Sequence, residues 1–169
     1  NSSDPKVPVF ITIPSVQEYN GNTFSDNVMP MVSDITTGND IQFNNAAGVI
    51  RLNVSASEDI SVKSITIRSQ SQYISGKCGY IPDTKQYFFD QYLDSENNVK
   101  LSCGEGVIVG KEATSFMIVV PHQEYTSLQI VVKTVDGYEQ TFTMKSDKTL
   151  KVKRSSVSTI PLYIDDLVK

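Results

Sequence analysis

The sequence predicts an all-β chain folded as a β-sandwich in one domain, with little or no helix. Three observations predict it. Apolar and polar residues alternate in one short run after another, as where Ile50, Leu52 and Val54 interleave with Arg51 and Asn53; such alternation gives a strand one apolar and one polar face. About nine or ten runs of this kind recur at spacings of roughly 8–12 residues, the rhythm of a sandwich. No segment sustains the apolar period of about 3.6 residues that an amphipathic helix needs.

Taken in order, residues 1–40 read as an N-terminal extension with an edge strand and residues 41–169 as the sandwich proper. Val7, Val9, Ile11 and Ile13 share one face between Pro8 and Pro14, and proline cannot donate to a central ladder, which makes this an edge strand. Residues 15–40 are mostly Asn, Gly, Ser, Asp and Thr, broken by Val28-Met29-Pro30-Met31-Val32. They read as a loop with a short extended piece lying across the core; a flexible leader is the competing reading. The organising strand follows a corner of small residues, Asn44 to Gly48, with Phe43 expected to anchor it.

After the turn at Ser57-Glu58-Asp59, Ile65 and Ile67 are in phase and Val62 is not, which predicts a bulge or a late strand start. Residues 73–81 form a short strand weakened by Gly76 and Gly79 and closed by Pro82. Residues 83–98 are the least regular, with Tyr87, Phe88, Phe89 and Tyr92 ahead of a polar turn at 94–98. Residues 99–103 alternate again, and Gly104-Glu105-Gly106 is expected to turn the chain. Residues 115–120 are apolar on both faces, as in a central, fully covered strand, and Pro121 ends it. Asp136-Gly137 between two alternating runs is a hairpin signal, because its turn needs positive φ. Residues 150–153 and 160–164 complete the set.

At 169 residues the chain suits one domain with a real core. A net charge of −4 and a pI near 4.9 exclude the strongly basic field of a nucleic-acid or anionic-membrane binder. No apolar run approaches the roughly 18 residues that span a bilayer. The start, Asn1-Ser2-Ser3-Asp4-Pro5, lacks an initiator Met and reads as a processed or trimmed end, from which a secretory or lipoprotein leader could have been removed. Cys78 and Cys103 are the only cysteines and do not form a C-x-x-C pair, so a zinc or thioredoxin-like motif has no basis. No cofactor is expected.

Several runs taken together resemble the fimbrillin-like family. They are Met29-Pro30-Met31-Val32, Phe43-Asn44-Asn45 through Gly48-Val49-Ile50-Arg51-Leu52, Val62-Lys63-Ser64-Ile65 and Ser75-Gly76-Lys77, then Val99-Lys100-Leu101, Phe116 through Pro121, and Asp136-Gly137. Order and spacing over roughly residues 28–165 carry the likeness. The family comprises surface lipoproteins and type V pilin-like subunits of Gram-negative anaerobes. The resemblance implies a Greek-key, transthyretin-like β-sandwich, export, and lipid anchoring at the outer membrane. It also implies partners among pilus subunits, other surface proteins, or host and glycan ligands. Polymerising members differ in usually having two sandwiches and a donor strand.

The candidate sites are few. His122 is the only histidine; no Gly-x-Ser-x-Gly elbow accompanies it, and an ordinary loop residue is the plainer reading. Glu58/Asp59, Asp94/Glu96 and Asp165/Asp166 are paired carboxylates, which glycoside hydrolysis would need facing across a cleft; solvated turns explain them as well. The turn at 94–98 lacks the alternating acids and glycine of a calcium loop. Tyr80, Tyr87, Phe88 and Tyr92 form the candidate ligand or partner surface, since rings on loops can stack on sugars or dock in a groove; core packing is the alternative. Cys78 and Cys103 are either one disulfide or two buried thiols. If their strands are neighbours, a bridge would close a loop of about 25 residues for roughly 3 kcal/mol, and an oxidising compartment would preserve it. Lys145, Lys148, Lys151, Lys153 and Arg154 crowd one late hairpin, where lysines guard an exposed edge; a receptor-facing or polyanion-binding patch is the alternative. The expected function is non-enzymatic: a cell-surface adhesion or pilus-associated module, with glycan binding through the aromatic residues of 80–92 as the alternative.

Overall fold

The computed structural model describes residues 8–33, 41–89 and 94–169, and these are all-β, without helix. The strands in chain order are β1 (Val9–Ile13), β2 (Val16–Glu18), β3 (Met31–Ser33), β4 (Phe43–Asn45), β5 (Ala47–Ala56), β6 (Ile60–Ser69), β7 (Ser75–Ile81) and β8 (Gln86–Phe88). They continue as β9 (Ser95–Glu96), β10 (Asn98–Val109), β11 (Thr114–Pro121), β12 (Gln123–Tyr125), β13 (Leu128–Thr134), β14 (Glu139–Thr143), β15 (Leu150–Val152) and β16 (Val157–Ile164).

Two sheets make the sandwich. The larger runs β14-β13-β6-β10-β2 and the smaller β11-β5-β16. Alternation puts Ile50, Leu52, Val54 and Ala56 of β5 on one face, where they meet Ile65, Ile67 and Leu101 of the opposite sheet in a single buried cluster. Each apolar side chain so buried is worth roughly 1.5–3 kcal/mol over an exposed one. The organising strand is therefore the middle of its sheet, paired antiparallel to β11 and parallel to β16. Phe43 does not anchor it; it is exposed on the β3–β4 ribbon.

β11 corrects an expectation. It is covered on both faces but stands at an end of its sheet, not the centre. Phe116 and Ile118 enter the main core, while Met117 and Val119 pack on Ile13 and Val28 with Phe24 and Met29 beside them. The N-terminal segment thus supplies a second, smaller core. It also closes part of the free edge of β11. The Gln17 carboxamide donates to the Val119 carbonyl at 2.8 Å and accepts from the Val119 N–H at 2.9 Å, in place of a neighbouring strand.

The bulge expected near Val62 is present: the register on both sides of β6 passes from Ser64 to Val62 and skips Lys63. The expected turn at Gly104-Glu105-Gly106 is not a reversal. The strand continues to Val109 through an irregularity between Ser102 and Val107, with Gly104 and Gly106 at φ +56° and +127°. The Asp136-Gly137 hairpin joins β13 to β14 with Gly137 at φ +88°.

A third sheet, β1-β7-β8 with β9 also on β7, lies against the second core, and β1 is its edge. β14 and β16 are not paired along their length, though Gln140 of β14 bonds Asp165 and Asp166 just past β16 and Glu139 bridges to Val168. An apolar slot of about 420 Å³ opens between the two strands, lined by Phe142, Met144, Leu150, Ile160 and Leu162 with Lys148 at its margin.

Candidate functional site

The third sheet carries the aromatic residues that the sequence singled out, and its register sorts them between two faces. Phe10 of β1, Gly79 of β7 and Phe88 of β8 are cross-strand partners. On one face the two phenylalanines flank a residue with no side chain, and they are 57% and 46% exposed. A Cβ at Gly79 would lie 3.2 Å from the Phe88 ring and 3.4 Å from Pro8, so glycine is what lets the ring lie down on the sheet. Lys77 holds its ammonium 5.4 Å from the Phe10 ring centre, within cation–π range. The result is an exposed apolar platform with one cation beside it.

On the other face Tyr80 and Tyr87 are partners and point inward. Tyr80 is fully buried, which removes it from the expected surface set. Its hydroxyl accepts from Arg154 Nη1 at 2.6 Å, while Arg154 Nε donates to the Asn45 carbonyl at 2.8 Å. Arg154 is thus a structural tie to the aromatic cluster and does not belong to a lysine-rich surface, and the late hairpin expected there is absent, since β15 pairs with β12 and β16 with β5. Tyr87 is half-buried; its ring stacks on Phe89 at 5.6 Å and lies 5.1 Å from His122. Its hydroxyl donates to the Ala46 carbonyl, and burial pushes its pKa far up. Tyr92 lies outside the described residues. Among the described members of the expected surface set, Phe88 alone is exposed, and Phe10, 78 residues earlier in the chain, is its missed companion. Alternation at 7–13 put Phe10 on the face opposite Val9 and Ile11, and that was the available signal.

His122 follows β11 and faces Tyr80 and Tyr87, with Nδ1 3.4 Å from the Ala46 carbonyl oxygen. Burial lowers its pKa below the ordinary value, and Arg154 adds to this against the raising effect of carbonyls at Ala46 and Lys85. Its place is that of a neutral packing residue.

The disulfide expectation is corrected. Cys78 and Cys103 are free and buried. Cys78 is on β7, whose partners are β1, β8 and β9, whereas Cys103 is on β10, between β6 and β2, so the strands are not neighbours. Burial pushes both thiols up to about 12, which leaves them protonated and unreactive at neutral pH. Among the paired carboxylates, Glu58 and Asp165 share the rim of an open depression of about 160 Å³. No group of three or more His, Cys, Asp or Glu able to hold a metal ion occurs among the described residues. Lys151 pairs with Glu124 at 2.8 Å across exposed side chains, where such a pair is worth little.

No protein-family model matches the chain, and no curated protein matches it. Among solved structures it is similar to one described as a "putative cell adhesion protein" from Bacteroides ovatus ATCC 8483, at 12% identity and a TM-score of 0.44. The match covers 72% of this chain and 41% of the other, so the chain spans about two fifths of that protein's length. A likeness of this extent bears on neither family nor function.

Proposed function

We propose that this chain is a non-enzymatic cell-surface contact module, adhesive or pilus-associated, that engages a partner through the outer face of the β1-β7-β8 sheet. One observation carries the reading: Phe10 and Phe88 are held exposed and in register on either side of Gly79. Paired exposed phenylalanines on an ordered sheet cost solubility, and contiguous exposed apolar surface marks contact with something else. The resemblance to fimbrillin-like surface proteins supports export, lipid anchoring at the outer membrane and a Greek-key, transthyretin-like sandwich. A cysteine of a lipoprotein leader shortly upstream of Asn1 in the precursor would bear on the anchor directly.

The test is adhesion of beads bearing the chain to epithelial monolayers and to bacterial cells. Wild-type beads are expected to adhere and beads carrying Phe10→Ser/Phe88→Ser to release, with the thermal midpoint unchanged because both rings are outside the cores. Wild-type adhesion no better than that of bare beads, or adhesion indifferent to the double substitution, would sink the reading. Glycan binding through the same rings is the second reading. Flat exposed phenyl faces can stack on sugars, and a glycan array that lights up and darkens with the same substitutions would favour it.

A further inference from the structure

The outward face of the larger sheet is polar, concave and cationic. Register places Arg68 of β6 beside Asn98 of β10, Thr66 between Lys100 and Val131, and Ser64 between Ser102 and Lys133. Small side chains of β6 form the floor, and the longer cations of three different strands rise around it. The trough they enclose has a volume of about 300 Å³. Among the described residues no ion pair or side-chain hydrogen bond holds Arg68, Lys100 or Lys133, and the ion pair is Lys151 with Glu124. Two acids share this face: Glu139 of β14, opposite Lys133, lines one side of the trough, and Glu18 of β2, opposite Ser102, stands outside it, so three cations face one carboxylate in the lining. The centre is left positive. Lys63, displaced by the bulge, donates to the Gly104 carbonyl at 2.6 Å and does not join the group.

In a chain of net charge −4, three free cations gathered over one recess make a local field opposite to that of the whole, and a concave wall focuses it. We infer that this trough binds an acidic polysaccharide, its carboxylate or sulfate groups on Arg68, Lys100 and Lys133 and its hydroxyls on Ser64, Thr66 and Asn98. A peptide is the poorer fit. Extended peptides are held mainly by backbone hydrogen bonds at a sheet edge, and a sheet face presents side chains alone. Val131 is the single apolar side chain in the lining, which leaves little to receive a peptide's apolar residues. Hydroxyl and amide groups that both donate and accept, interleaved with cations, match a chain of hydroxyls interrupted by acids. The inference rests on the proposed contact role and names the chemistry of a partner at a second face, on a different sheet from Phe10 and Phe88.

The experiment measures binding of the full chain to immobilised polygalacturonate, dextran sulfate, neutral dextran and poly-glutamate, at low and high salt. Expected is binding to one or both acidic polysaccharides, none to dextran, and loss at high salt. Lys100→Gln/Lys133→Gln should weaken it at least about tenfold, given the usual strength of charge-assisted hydrogen bonds. Lys100→Arg/Lys133→Arg should restore it, and Phe10→Ser/Phe88→Ser should leave it unchanged. Polygalacturonate alone identifies a carboxylate ligand and dextran sulfate alone a sulfated one. Binding to neither, binding unaffected by the Gln variant, or equal affinity for poly-glutamate would overturn the inference. Loss with the phenylalanine variant in place of the lysine variant would move the glycan to the aromatic platform and leave the contact reading standing.

Discussion

Gln17 does with a side chain what a neighbouring strand does with its backbone. It is 1% exposed, and its amide satisfies both the N–H and the carbonyl of Val119. Removing it strands two buried polar groups, at about 1–3 kcal/mol each before any relaxation. Gln17→Ala should therefore lose about 2–4 kcal/mol in a urea denaturation series, far more than a surface glutamine would. Nothing in a stretch rich in Asn, Ser and Thr distinguishes this residue, because its partner lies a hundred positions away. His122 gives the pH counterpart. Its folded pKa lies below the unfolded value of 6.5, so the unfolded chain takes up a proton first. Stability should thus be full above about pH 6.5 and fall as pH drops through that value. His122→Gln should flatten this part of a stability–pH profile; an unchanged slope would assign it to other groups.

At the level of strands, alternation was readable and termination was not. β5, β6 and β13 stand where their patterns put them because each has one face on the shared core. Gly104-Glu105-Gly106 looked like a turn because glycine serves equally for reversal and for a bulge; only the partner strand decides between them. β11 looked central because two covered faces and two paired edges leave the same apolar run. The cover on its second face comes from the N-terminal segment, which carries little periodicity of its own. One glycine was legible as a corner and is tighter than that. A Cβ at Gly48 would lie 2.3 Å from the Lys153 carbonyl oxygen and 2.5 Å from Val152 Cγ1, where β5 passes under the β15–β16 connection. Gly48→Ala should cost about 1–3 kcal/mol through forced backbone displacement, measured as a lower denaturation midpoint with the β-type circular dichroism retained.

Over the whole molecule, an all-β sandwich followed from repeated alternation and from the absence of a helical period, and both reflect the same physics of two-faced strands. The surfaces were less legible, because exposure depends on register between strands far apart in sequence. Tyr80 and Phe88 looked alike in a list of aromatics, and pairing with Tyr87 and Gly79 respectively sent one in and one out. The slot between β14 and β16 is likewise visible only once both sheets are laid together. It should bind an apolar fluorescent reporter in the native state. Phe142→Ser in its wall should reduce the emission sharply, at a stability cost of about 1–2 kcal/mol for a half-buried ring; undiminished emission would locate the dye elsewhere.

The parallel alignment of β5 with β16 sets a timing constraint. Val49 must wait for Val157 and Ala56 for Ile164, so the chain cannot finish its smaller sheet until β16, about a hundred residues further on, is in place. Contacts so distant are slow to close, and until then the apolar flank of β5 is open to whatever escorts the unfinished polypeptide.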